Sequence, residues 1–138
     1  MKITLVGSRH FGVEVLKMLV TRGASPVRVV VADAEDRLAA AAREAGVEVT
    51  VQKDPKNVAL DEIPADTDLI LTAHSHARVG QDAVSRARFG GVGYHPSLLP
   101  RHRGIAAVEW TIKEGDPIAG GTIYHLAERM DAGAIAMQ

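Results

Sequence analysis

The chain alternates short apolar runs with stretches of helical periodicity, and that alternation restricts it to an α/β sheet whose first half is mostly parallel. Ile3 to Val6 is an apolar run closed by Gly7, and Phe11, Val15, Leu16, Leu19 and Val20 then recur at helical spacing as far as Gly23. Val27 to Val31, valines interrupted only by Arg28, is a β-branched run of the kind buried on both faces of a sheet. Glu35 to Ala45 is an alanine-rich helix stopped by Gly46, and Val47 to Val51 makes a third strand. Between Pro55 and Pro64 the pattern is polar and aperiodic, with no element assigned. Leu69 to Leu71 resumes as a buried strand, followed by a helix from about Gly80 to Arg88 and a strand from Gly90 to Tyr94. A proline-bounded loop, Pro96 to Pro100, a helix from about Ile105 to Lys113 and two final strands complete the reading.

With 138 residues, 46% apolar and 24% charged, the chain closes one core, and residues 1–138 are expected to form one domain. It has no cysteine, which excludes a disulfide scaffold, a thiolate zinc site, an iron–sulfur cluster and a cysteine nucleophile. Sixteen basic residues against seventeen acidic ones argue against a broad nucleic-acid or membrane face. No apolar run approaches the ~20 residues of a membrane span, and the expected location is cytoplasmic.

Open α/β sheets bind ligands at the carboxyl ends of their strands, beside the point where strand order reverses. The positions to inspect therefore follow Val6, Leu71 and Tyr94. The first, Gly7 to Gly12, lacks the second glycine of a dinucleotide loop, so neither NAD nor FAD is expected there. Asp33 reads as a loop or capping residue for the same reason. His74 and His76, taken as neighbours on an extended segment, point to one side. Such a pair is able to share a metal with His95 or Asp131, or simply to line a pocket, and the second reading is preferred, with no metal expected. His95 leaves a strand end into a loop stiffened by Pro96 and Pro100 and anchored by Leu98 and Leu99, which fixes the direction of its imidazole.

The run Tyr94-His95-Pro96-Ser97-Leu98-Leu99-Pro100-Arg101-His102-Arg103-Gly104, with Trp110, Gly115-Asp116, Gly120-Gly121-Thr122 and Met130-Asp131-Ala132-Gly133, resembles the catalytic domain of the folate-dependent formyltransferases. In wording it is most similar to the hydrolase domain of 10-formyltetrahydrofolate dehydrogenase, and it also resembles methionyl-tRNA and glycinamide ribonucleotide formyltransferases. The likeness spans the chain, weakly before residue 90 and strongly after it. It implies a Rossmann-like, open, mostly parallel sheet with helices on both faces, and 10-formyltetrahydrofolate as formyl donor, with no metal and no NAD.

The resemblance also implies roles. His95 becomes the acid/base and Asp131 its partner, whereas the family's third catalytic residue, an asparagine two positions before the histidine, is here Gly93. Since residues 93 and 95 of a strand share a face, the glycine is expected to leave an empty space where an amide would have met the formyl oxygen. One lost oxyanion donor costs ~10²–10³ in rate unless another group takes its place. His74, Ser75, His76, Ala77, Arg78 and Val79 are expected to wall a pterin pocket, together with His125, Leu126, Ala127, Glu128, Arg129 and Met130. Ser97, Arg101 and Arg103, with His102, form a rim expected to meet the acceptor.

Three readings of function follow: formyl transfer to an amine acceptor, hydrolysis of the same folate to formate, and a folate-binding module that has lost turnover. The leading one is transfer to a small amine. Methionyl-tRNA would call for a wider basic surface, although it stays open as an acceptor. Domains of this family continue past the Asp-x-Gly turn, whereas this sequence stops at Gln138 as a fragment or minimal member. An uncovered apolar face and a homodimer are expected on that account.

Overall fold

The computed structural model describes all 138 residues. In chain order β1 (Ile3–Gly7) leads into α1 (Arg9–Thr21), β2 (Arg28–Val31), α2 (Arg37–Glu44) and β3 (Val49–Val51). Next come β4 (Asn57–Val58), a 3-10 turn (Leu60–Glu62), β5 (Leu69–Ala73), β6 (Arg78–Val79) and α3 (Gln81–Arg86). The chain finishes with β7 (Gly91–His95), α4 (Ala107–Lys113), β8 (Thr122–His125) and β9 (Ile135–Met137). Seven strands form one sheet in the order β3-β2-β1-β5-β7-β8-β9, and β4 pairs with β6 beside it. The strands from β3 to β7 are parallel, while β8 and β9 run antiparallel to their neighbours.

Alternation along the strands divides the core in two. Leu5, Val29 and Val31 pack against Leu16 of α1 and Leu38, Ala39 and Ala42 of α2. Val6, Val30 and Ile70 pack on the opposite face against Val58, Val79, Ala83 and Val84. Helices therefore cover both faces, and the expected doubly covered sheet is what forms. Complete burial of Leu5, Val6, Val29, Val30 and Val31 contributes about 1.5–3 kcal/mol per side chain.

The first turn has a packing role. A Cβ on Gly12 would stand 2.9 Å from Leu38 Cδ2, so the glycine lets α1 lie close on α2. Asp36 joins the same contact, accepting from Leu38 N at 2.8 Å as the cap of α2 and from Arg9 N at 2.9 Å. Asp33 accepts from Glu35 N at 2.9 Å, the short turn its type favours.

Several boundaries move. The strands expected from Val27 and Val47 begin at Arg28 and Val49, and the helix expected from Glu35 begins at Arg37 because Asp36 caps it. The unassigned stretch holds β4 and the 3-10 turn, fastened by buried Glu62, which accepts from Lys53 N at 2.6 Å and Ala59 N at 2.8 Å. The helix expected from Ile105 starts at Ala107, since Ala106 is left-handed with φ 61°. His95 ends β7 instead of following it.

Strand order reverses between β1 and β5, because the chain builds outward to β3 and then returns to the other side of β1. The carboxyl ends of β1, β5 and β7 consequently open into one crevice.

Candidate active site

Cross-strand register assembles the floor of that crevice. Thr72 of β5 pairs with Gly93 of β7, and Gly93 pairs with Tyr124 of β8, so the three form one row on one face of the sheet. His95, two residues beyond Gly93, lies on the same face opposite Thr122. Thr122 is buried and fully engaged, donating to Ser97 O at 2.7 Å and accepting from Leu99 N at 3.0 Å, which ties the proline-bounded loop to β8.

His95 is buried with both ring nitrogens faced by oxygen. Nε2 lies 2.8 Å from the carbonyl of His102, and since a carbonyl only accepts, Nε2 carries a proton. Nδ1 lies 3.4 Å from Asp131 Oδ2, and the same oxygen accepts the Gly104 N–H at 2.9 Å. The imidazole is thus oriented by a backbone carbonyl, leaving Nδ1 to gain or lose a proton beside a fixed carboxylate. The loop after β7 was expected to fix the direction of this imidazole. The Gly104 amide and the His102 carbonyl belong to the loop itself, so the loop sets both groups.

His95, Asp131, Gly104, Thr72 and Tyr124 line a cavity of about 520 Å³, within the range of small-molecule sites. Phe11 and Tyr94 close one side with ring centroids 5.0 Å apart, and Ile105, Ala106, Ala107 and Val108 close another. Non-glycine residues with positive φ gather here: Arg9, His74, Ala106 and Asp131 line the cavity, and His102 supplies the carbonyl to His95. Such conformations cost on the order of 1–3 kcal/mol each and collect at working sites.

Burial pushes the Tyr124 hydroxyl well above its usual value, and the charge and hydrogen bonding of Asp131 add to the effect, so Tyr124 stays protonated. His74 is pushed below its usual value by burial and by the neighbouring His76 and Arg9, which keeps it neutral. Ser8 Oγ donates to the His74 carbonyl at 2.6 Å and lies 3.0 Å from His74 Nδ1, so Nδ1 donates to Ser8 and Nε2 remains an acceptor.

Of the residues expected to bind folate, His74, Ser75, His76 and Met130 line this cavity. Ser75, Ala77, Arg78, Val79, Leu126, Ala127, Arg129 and Met130 line a small adjoining one of about 30 Å³, which shares Thr72, Tyr124 and Asp131 with it. Glu128 lines neither and accepts from Arg78 through its carbonyl at 3.4 Å. His74 is not on an extended segment: its φ of 56° turns the chain, and the His74 and His76 rings meet edge to face at 5.1 Å.

The rim differs from expectation. Ser97 is buried under the loop, donating to Arg101 O at 2.6 Å, and does not reach the cavity. Arg101 pairs with Asp116 and Glu114 and lines a separate cavity of about 240 Å³, so its charge is already spent. His102 Nε2 lies 2.8 Å from Asp116, whose carboxyl is held below the usual range by that ring and then by Arg101. Arg103 is exposed and makes no ion pair. The space expected beside Gly93 is not empty. A Cβ there would overlap Thr72 Oγ1 and stand 3.1 Å from Tyr124 Cζ, so both neighbours lean over the glycine. Thr72, Tyr124, Arg9 and Phe11 were given no site role in the sequence, because only strand register and the crevice bring them to His95.

A model of the family described as formyl transferase matches residues 2–138. The chain is 32% identical over 151 residues to cytosolic 10-formyltetrahydrofolate dehydrogenase of Xenopus tropicalis, covering 100% of the chain and 16% of that protein. It is 29% identical over 150 residues to methionyl-tRNA formyltransferase of Thermotoga maritima, covering 100% of the chain and 48% of the relative. The fold superposes on phosphoribosylglycinamide formyltransferase from Anaplasma phagocytophilum with a TM-score of 0.85 at 27% identity, covering 100% of the chain and 70% of that one. The chain thus spans less than half the length of the two curated relatives. No helix is long and apolar enough to cross a membrane.

Proposed function

The chain belongs to the formyl transferase family, and from that premise we propose that it takes the formyl group of 10-formyltetrahydrofolate and passes it to a small amine. The observation that carries this is the His95 imidazole, tied through Nε2 to a carbonyl and set 3.4 Å from the Asp131 carboxylate, at the wall of a 520 Å³ cavity. In the reaction a bond forms from the amine nitrogen to the formyl carbon while the C=O electron pair moves onto oxygen. The pair then returns, the carbon–N10 bond breaks, N10 takes a proton and the amine loses one. His95 Nδ1 is the group placed to move that proton, and Asp131 stabilises the imidazolium while it carries it. His74 to Val79 and Leu126 to Met130 would wall the pterin, and exposed Arg9, which lines the main cavity without an ion pair, is a cation free to meet an anionic acceptor.

Hydrolysis to formate is the second reading, favoured by the pairing of Arg101 with Asp116 and Glu114 and of the His102 ring with Asp116, because water needs no charged rim to recognise it. The test is to mix the protein with 10-formyltetrahydrofolate, alone and with a panel of amines that includes an aminoacylated transfer RNA. Tetrahydrofolate released only with an amine supports transfer, and formate released without one supports hydrolysis. Binding without turnover under every condition overturns both.

A further inference from the structure

The hydroxyl of Thr72 stands out among the buried threonines. Thr4 and Thr67 hydrogen-bond each other at 2.8 Å, and Thr122 bonds the loop carbonyl of Ser97. Thr72 Oγ1 has no partner within the protein, although the residue is 8% exposed and lines both the main and the adjoining cavity. The one fully buried side-chain polar atom without a partner is Arg28 Nε, so the Thr72 hydroxyl is open to the cavity and its hydrogen-bonding capacity is free for a ligand. Its orientation depends on Gly93, since any side chain there would collide with Oγ1. Tyr124 holds the arrangement from the other side, its ring 3.1–3.2 Å from the Cβ position of Gly93. The row Thr72–Gly93–Tyr124 lies one pleat below His95, so the hydroxyl and the imidazole share one face and one cavity.

We propose that Thr72 is a catalytic residue whose Oγ1–H donates to the formyl oxygen, a neutral donor taking the position on β5 that the glycine on β7 cannot supply. The inference rests on the formyl-transfer reading and deepens it. As the nucleophile bonds to the formyl carbon, the oxygen gains the C=O pair. Thr72 stabilises that charge without giving up its proton, and the hydrogen bond relaxes when the pair returns and the carbon–N10 bond breaks. His95 is then left free to move the nucleophile's proton to N10, one group serving the oxygen and another the proton.

The test compares Thr72→Val and Thr72→Ser with the unaltered protein, using 10-formyltetrahydrofolate with the amine, or water, that supports turnover. Valine keeps the shape and removes only a hydroxyl that bonds nothing in the fold. Thr72→Val should therefore melt no lower than the parent while its kcat falls ~10²–10³-fold with KM for the folate within about threefold. Thr72→Ser should restore kcat to within about tenfold. Should valine fail to fold, Thr72→Ala against Thr72→Ser gives the same comparison. A parent that turns over beside a Thr72→Val variant within threefold of its kcat overturns this inference alone. A parent without turnover overturns the formyl-transfer reading, and this inference with it.

Discussion

Gly93→Asn places a side chain where the row across β5, β7 and β8 is closed. Its Cβ would overlap Thr72 Oγ1 and stand 3.1 Å from Tyr124 Cζ and 3.2 Å from Tyr124 Cε1. None of the three strands yields easily, because β7 is hydrogen-bonded on both sides, to β5 and to β8. Overpacking a well-filled core costs about 1–3 kcal/mol, and burying an amide with incomplete partners costs about 1–3 kcal/mol more. The sum, about 2–6 kcal/mol, corresponds to a fall in Tm of roughly 6–25 °C for a domain of this length. Turnover should fall as well, since Thr72 must rotate out of the cavity. Differential scanning calorimetry and the formyl-release assay measure the two effects. In a Thr72→Ala background the asparagine should lose at least half of its destabilising effect, because the two substitutions share one contact. An asparagine variant that melts within 2 °C of the parent and turns over faster would refute the reasoning, and would mean that the floor of the cavity has room to spare.

His95→Ala should lower kcat ~10²–10⁴-fold while folate binding, followed by fluorescence titration, persists; loss of binding with the fold intact would count against a proton-transfer role. Ala106→Gly removes a left-handed alanine costing about 1–2 kcal/mol, less about 0.4–1 kcal/mol from a freer unfolded chain, so Tm should not fall and should rise by up to roughly 6 °C. Asp116 has its carboxyl lowered in the fold, so its ionised form favours folding above the ordinary value of 3.8, and that contribution fades as the pH falls from there through the folded value. Denaturant titrations of Asp116→Asn and parent should differ at pH 7 and converge in acid below about pH 4; a gap unchanged at pH 2.5 would contradict the linkage.

What the sequence made legible was local. Apolar runs and helical periodicity give β1, β2, β5, β7 and the two helices between β1 and β3, because each is specified by side chains near in the chain. His95 was legible from its prolines, and Asp131 only through the resemblance, since Asp-Ala-Gly alone is common turn wording. Thr72 and Tyr124 were not legible: each meets Gly93 through a strand register that no window of sequence contains. The basic look of Arg101-His102-Arg103 misled for a related reason. Glu114 and Asp116, thirteen or more positions after Arg101, fold back to engage two of the three side chains. Pro55 to Pro64 stayed unread because its strand has two residues and its anchor is one buried glutamate.

The bowl around His95 owes its curvature to main-chain torsions at Arg9, His74, Ala106 and Asp131, with the carbonyl of His102 buttressing it from outside. An outline drawn in dihedral angles survives the exchange of the side chains that decorate it. Rim residues such as Phe11, Ile105 and Glu109 can therefore be swapped one by one to change what the cavity admits, while His95 and Asp131 at the bottom keep their spacing.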